Sequence, residues 1–322
     1  MNATLWINKI NNEKIIDFTR LEGGVSSEVY KVKTKKNFYC LKRSLSKLLV
    51  EKEWFADTKR LKYEYYWLIH CKKIIPRSIP KVFQFSSKND FLILEYLDEK
   101  KYNTLKSKLL KKIVNLKIIK KISKDIYKIH NESSNSKTKK KFDENFKNFY
   151  DLRLDAYFNE VGRVYPNLKI KIKKIIRSYR ENSSTLVHGD FSPKNILVYK
   201  NNVKYIDAET CNYGDPVFDV VFFLNHLLIK SIHMPQMKKK ILEAYKIFFD
   251  TYIKLIKKNQ REGFINRYLE MMPIMLLARV DGKSPVEYIK KKIVKNKIKL
   301  LSFTLMDKKL KTIEQIIKIV NE

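Results

Sequence analysis

The segment His188-Gly189-Asp190-Phe191-Ser192-Pro193-Lys194-Asn195 places an Asp and an Asn five residues apart, and a second Asp, Asp207, stands twelve residues further on. Between them, Ile196-Leu197-Val198-Tyr199 and Val203-Lys204-Tyr205-Ile206 read as two short strands around the turn Lys200-Asn201-Asn202. A hairpin folds the chain back, so Asp207 is expected beside Asn195, with three oxygen-bearing side chains converging at one end of the hairpin. Phosphoryl transfer needs such a set: one carboxylate to orient a hydroxyl, and two or more hard oxygen ligands for Mg²⁺. Any one of these residues could serve an ordinary turn. The ordered set with a hairpin inside it carries the reading.

The elements that must position this cluster differ along the chain. Up to residue 97 the signals are mostly strand-like: alternation over Leu21 to Val32 after a Gly-containing turn, then Phe38 to Lys42, Lys81 to Phe85 and Phe91 to Tyr96. One helix is expected in that part, Lys59 to Lys72, with Leu61, Tyr65 and Leu68 on one face. Beyond Leu97 the spacing turns helical. One helix is expected over Leu105 to His130, then a polar, basic, mobile loop over Asn131 to Lys141. Further helices are expected over Phe146 to Phe158, Leu168 to Tyr179, Phe218 to Ile229, Lys238 to Ile256, Ile265 to Arg279, Val286 to Ile298 and Leu310 to Val320. The fold class is therefore α+β with two lobes, a small β-rich lobe over residues 1–97 and a larger, mainly helical lobe over 98–322. A ligand cleft is expected between them.

With 322 residues, 44% hydrophobic and 12% aromatic, the chain can bury a substantial core. No apolar run reaches membrane-spanning length: Val220 to Leu224 is cut by Asn225-His226, and Met271 to Ala278 contains Pro273. Three cysteines, Cys40, Cys71 and Cys211, form no metal-binding spacing. A cytoplasmic protein with no membrane partner is expected. The formal charge of +34 suggests nucleic acid, but the 68 basic residues are 57 Lys and 11 Arg, spread along the whole chain. Nucleic-acid readers lean on Arg and gather it in a stripe. A compositional bias toward Lys, Ile and Asn explains the charge better, and a nucleic-acid partner is not expected.

Together these features resemble the aminoglycoside phosphotransferase and choline kinase family, small-molecule kinases with a protein-kinase-like fold. The resemblance runs from about Leu21 to about Tyr288. His188-Gly189-Asp190 with Asn195 is similar to the family's catalytic loop. Asp207 and Glu209 resemble the Asp-x-Glu pair of the choline kinase and methylthioribose kinase branches. Gly214-Asp215-Pro216-Val217-Phe218-Asp219 resembles a segment of bacterial members. The resemblance implies that Asp190 is the catalytic base or orienting group. It implies that Asn195 and Asp207 ligate Mg²⁺, with Glu209 near a second metal or its water; a solvent-exposed Glu209 is the alternative. His188 would hold the loop by hydrogen bonds, and Asp219 would cap or anchor it.

In the first lobe, Gly23-Gly24-Val25-Ser26-Ser27 would cover the ATP phosphates with backbone N–H groups. Lys42 stands where the family places the lysine for the α- and β-phosphates. Glu64 would pair with it, with Glu53 as a substitute. Glu95-Tyr96-Leu97 would form the hinge against adenine. Arg279 and Asp281, near the end of a helix, either face the cleft and bind substrate or belong to an ordinary helix C-terminus with Gly282 and Pro285 after it. The expected activity is ATP- and Mg²⁺-dependent phosphorylation of a hydroxyl on a small polar metabolite. A silent nucleotide-binding module and, from charge alone, an RNA-binding protein are the rivals. The sequence does not disclose the acceptor or the oligomeric state.

Overall fold

The computed structural model describes residues 13–21, 26–47, 56–88 and 90–322. The first lobe is a five-stranded antiparallel sheet in the order β1 (Ile15–Leu21), β2 (Ser27–Thr34), β3 (Phe38–Ser44), β5 (Phe91–Glu95), β4 (Val82–Ser86). Helix α1 (Arg60–Ile74) packs on it. Strand β3 is central, with Lys42 paired to Val29 on one side and Leu92 on the other. Side chains alternate faces along a strand. Tyr39 and Leu41 therefore join Val32, Phe91 and Ile93 in a small core on one face. Cys40 and Lys42 turn the other way, and Cys40 packs on the main core that α1 shares with the second lobe.

The second lobe begins with β6 (Asn103–Thr104), α2 (Leu105–Leu110), α3 (Leu116–Glu132), α4 (Ser136–Phe142) and α5 (Phe146–Phe149). A π-helical stretch, Tyr150–Asn159, runs on from α5 into α6 (Glu160–Val164). Next come α7 (Lys169–Glu181), β7 (Thr185–Val187), the hairpin β8 (Ile196–Tyr199) and β9 (Asn202–Tyr205), and β10 (Asn212–Gly214). The chain ends in α8 (Val217–His233), α9 (Lys238–Leu255), α10 (Lys258–Asp281), α11 (Lys292–Asp307) and α12 (Ile313–Asn321). Every residue of α8 from Val217 to Ser231 is buried, as befits a helix that is apolar nearly all round. Among the described residues no single helix is long and apolar enough to cross a membrane.

Four expectations about elements change. The single helix over Leu105 to His130 is two, because the chain leaves the helix at Lys111 and passes through Lys112 at φ +63°. It restarts where Asn115 accepts hydrogen bonds from Lys117 N and Ile118 N. The expected loop over Asn131 to Lys141 contains α4, capped by Asn135 and held down by buried Thr138 and Phe142. The hairpin turn is tighter than expected, since Asn202 already pairs with Tyr199. The expected helix from Val286 starts only at Lys292; before it, Val286 N bonds back to Arg279 O at 3.0 Å.

Candidate active site

The hairpin β8–β9 pairs Ile196 with Tyr205, and Ile206 N donates to Asn195 O at 3.1 Å across its open end. Asn195 and Asp207 therefore flank one strand pair. Asp207 sits at φ +66°, a left-handed conformation uncommon for a residue with a side chain. Gly189 has φ +76°, and a β-carbon there would collide with the carbonyl oxygen of Thr210. The loop before Asp190 is thus seated directly on the segment after Asp207.

Several side chains fix that loop. Asp219, fully buried at the start of α8, accepts from His188 N at 2.7 Å and from Gly189 N at 3.0 Å. It also pairs with His130 Nε2 at 3.1 Å. His188 Nδ1 accepts from Asp190 N, which leaves Nε2 to donate to Ile206 O at 3.1 Å. Trp67 of α1 packs edge-on against His188, centroids 5.0 Å apart. Burial pulls the His188 imidazole below its usual pKa, against the pull of Asp219 and Asp190, so the neutral ring is favoured. Asn195 Nδ2 donates to Asp190 O at 3.0 Å, closing the loop on itself.

Asp190 is 3% exposed. Its Oδ2 lies 3.0 Å from Arg153 Nη2 and 3.1 Å from Lys194 Nζ. Its Oδ1 is buried without a partner. Burial alone would raise this carboxyl, but Lys194 and Arg153 hold it below its ordinary pKa. The group is thus an ionised acceptor with one oxygen free, suited to orienting a hydroxyl more than to holding a proton. Arg153 comes from the π-helical stretch, and its Nε donates to Gly189 O at 2.7 Å. Neither cation was assigned a role from sequence; Lys194 lies inside the motif, whereas Arg153 carries no local signal.

Lys42 Nζ lies 2.6 Å from Glu64 Oε2 and also contacts Asp207 Oδ1. It is 6% exposed, and although burial disfavours its charge, Asp207 and Glu64 raise its pKa above that of an ordinary lysine. Asp207 is held ionised well below the usual carboxylate range, burial being outweighed by Lys42 and Lys194. Burial pushes Glu64 upward, with Lys42 opposing. Glu64, Asp207 and Glu209 bring ligand oxygens within 4.8 Å of one another. These carboxylates are hard oxygen donors, the type that suits Mg²⁺.

Glu209 is not the solvent-exposed residue of the alternative reading. It is 4% exposed, and its Oε2 accepts from Arg60 Nε at 3.0 Å. Arg60, fully buried, also donates to the carbonyls of Ser26, Leu45, Ala56 and Asp57. It therefore joins the start of β2, the end of β3 and the start of α1 to the Asp-x-Glu segment. Ser26 enters the site through its backbone carbonyl; Gly23, Gly24 and Glu53 lie outside the described residues. Glu95 ends β5, and its carboxylate accepts from Lys81 N at 3.0 Å and Lys204 Nζ at 3.1 Å, fixing the approach to Tyr96 and Leu97.

The structure separates Arg279 from Asp281. Arg279 is buried, its Nη1 donating to Tyr157 OH at 3.1 Å and to Ser284 O. Asp281 accepts from Tyr165 OH at 2.6 Å and pairs with Lys299 of α11 at 2.8 Å. Its carboxylate is thus committed to bonds within the helical lobe.

The model of the phosphotransferase enzyme family matches residues 17–233. The methylthioribose kinase of Bacillus cereus (strain B4264) is 28% identical over 114 residues, a match covering 34% of this chain and 29% of that kinase. The chain thus aligns with less than a third of the length of that relative. Among solved structures, the spectinomycin phosphotransferase complexed with ADP and spectinomycin has a TM-score of 0.53 at 14% identity, covering 100% of this chain and 98% of that one. The ethanolamine kinase of Plasmodium vivax has a TM-score of 0.56 at 13% identity, covering 89% and 82%. An amicoumacin kinase with AMP-PNP and Ca²⁺ has 0.58 at 12%, covering 97% and 95%. At such identities the likeness speaks to fold, here the two-lobed protein-kinase-like one. The family match spans most of both lobes, from β1 through the Asp190 loop to the end of α8, and by it this chain belongs to the phosphotransferase enzyme family.

Proposed function

We propose that this protein is a small-molecule kinase, transferring the γ-phosphoryl group of ATP, with Mg²⁺, to a hydroxyl of a small polar metabolite. The observation that carries the reading is the unpartnered, buried Oδ1 of an ionised Asp190 in a loop locked to the Lys42–Asp207 pair. Asp190 would accept the hydrogen bond of the acceptor hydroxyl and aim its oxygen. Asn195 and Asp207 would hold the metal. Lys42, kept charged by two carboxylates, would meet the α- and β-phosphates, and Glu64 would hold it in place. Gly23 and Gly24 would cover the phosphates, and Glu95 to Leu97 would meet the adenine. Bound Mg²⁺ supplies charge neutralisation on the phosphate oxygens.

The test is ADP release and product mass from purified protein, ATP and a panel of hydroxylated metabolites, wild type beside Asp190→Asn. The variant should keep MgADP binding and lose turnover by about two orders of magnitude or more. Full turnover in a folded Asp190→Asn protein refutes the assignment. MgADP binding without turnover of any hydroxyl compound favours the silent module.

A further inference from the structure

Helix α8 carries two groups in its buried face that the phosphoryl-transfer site does not use. Lys230 is fully buried, and the partner of its ammonium is the hydroxyl of Tyr288 at 3.0 Å, with the ring centroid 4.6 Å away. His226, one turn earlier, is 7% exposed. Arg279 lies across from them on α10, also 7% exposed, and its Nε is buried with no partner. The described residues pair neither Arg279 nor Lys230 with a carboxylate. Glu287 is the acid that acts on Lys230, and it is itself paired with Lys106. Buried basic groups without counter-ions are costly to charge, so a cluster of them with no carboxylate is an unfinished arrangement.

The cluster connects to Asp190 through aromatic rings. Arg153, 3.0 Å from Asp190, has its guanidinium carbon 5.7 Å from the centre of the Tyr157 ring. The guanidinium of Arg279 lies 5.2 Å from the same ring. Tyr157 stacks on Phe222 at 5.8 Å, and Phe222 meets His226 at 5.6 Å. The basic side chains thus begin at Oδ2, the paired oxygen of Asp190, and continue past the Tyr157 ring into the helical lobe. An anchoring role within the fold accounts for Nη1 of Arg279 but not for Nε aimed at no acceptor.

We propose that the acceptor is an anion, a hydroxylated metabolite bearing a phosphate or carboxylate whose charged end docks at Arg279, with His226 and Lys230 behind it, while its hydroxyl faces Asp190. The proposal rests on the kinase reading above. A cationic acceptor would meet repulsion at this wall. Burial, then Lys106, and more weakly Arg279 against the pull of Glu287, lower Lys230 to a pKa of about 7. An incoming anion restores its charge. The groups facing Lys230 are Lys106 on α2, His226 and His233 on α8, Arg279 on α10, and Glu287 and Tyr288 between α10 and α11.

The test is titration calorimetry at pH 8 on the full chain saturated with MgADP, with inorganic phosphate in one arm and acetate in the other. Wild type is compared with Arg279→Ala and Lys230→Met. Binding of at least one ion is expected, weakened about tenfold or more by Arg279→Ala, with proton uptake, read from binding heats that differ between buffers, that disappears in Lys230→Met. The tighter ion identifies the head group. Lys230→Met substitutes an apolar residue of similar length, so it reports even if Arg279→Ala fails to fold. No ion binding, or binding untouched by both changes, with MgADP affinity intact, overturns the anionic acceptor and spares the kinase reading. Loss of MgADP binding by the wild type would refute the kinase reading instead.

Discussion

At the residue scale, the site is a set of buried charges that hold one another in place. Asp207 and Glu209 stand two residues apart, yet the structure gives them different work. Asp207 meets Lys42, whereas Glu209 is the counter-ion of a fully buried Arg60. Asp207→Asn should leave the melting temperature within a few degrees, because Asn tolerates the left-handed backbone, and should abolish Mg²⁺-dependent nucleotide binding. Glu209→Ala should destabilise the fold by about 3 kcal/mol, since it strands a buried guanidinium, and Glu209→Gln by less than half of that. Chemical denaturation beside nucleotide titration separates the two effects; equal stability of all three variants would mean that Arg60 does not depend on Glu209. Lys230 gives a pH signature of its own. Its folded pKa lies below that of a free lysine, so the folded state resists the proton that the unfolded chain takes up. Stability attributable to Lys230 should therefore fall as pH drops from about 10.5 to about 7 and level off below. Lys230→Met should be more stable than wild type by a few kcal/mol at pH 7, a gap that closes toward pH 10 in urea melts.

At the element scale, helix starts decide where the lobe bends. Asn115→Ala removes the acceptor for two N–H groups at the head of α3 and should cost about 1 kcal/mol. Asn115→Asp should recover most of it, and a melt showing no difference among the three would remove Asn115 as the cap. This residue also shows what was legible in the sequence. The apolar spacing on either side of it is continuous enough to read as one helix, and the break has no Gly or Pro to announce it. Asn115 and, for α4, Asn135 were the available signals, because both are cap-forming residues just ahead of periodic segments. The hairpin, by contrast, was legible because its strands are short, apolar and bounded by polar turn residues. Its two ends carry Asn195 and Asp207, so the placement of those residues followed from the turn. Arg153 and Arg60 were not legible in the same way. Arg60 lies 149 residues from Glu209 in sequence, and Arg153 sits in a helix whose π-helical register no local pattern signals. Such pairings are fixed by how the lobes pack, which periodicity does not encode.

At the scale of the whole molecule, the formal charge of +34 must act on the folding equilibrium as well as on ligands. Two of the ion pairs at the surface, Lys147–Asp151 and Arg177–Glu181, are exposed i,i+4 contacts. Pairs of that kind contribute a few tenths of a kcal/mol each. With 68 basic residues against 34 acidic ones, half of the basic side chains have no acid of their own to meet, and their mutual repulsion is greatest in the compact state. Added salt screens charges more than about 10 Å apart at 0.1 M, so it relieves long-range repulsion before it weakens contacts of about 3 Å. The buried pairs that build the site, Lys42 with Glu64 and Arg60 with Glu209, are shielded from that screening. Raising NaCl from about 0.02 to about 0.3 M should therefore raise the melting temperature by several degrees, an effect of about 1–2 kcal/mol. The same salt step should weaken MgATP binding modestly, because the field that draws the anion is screened while the buried contacts remain. A falling melting temperature over that range would show that surface ion pairs outweigh the repulsion. An RNA-retention assay at the higher salt completes the comparison: Lys spread along the whole chain gives no stripe to hold a duplex, so retention should vanish while MgATP binding persists.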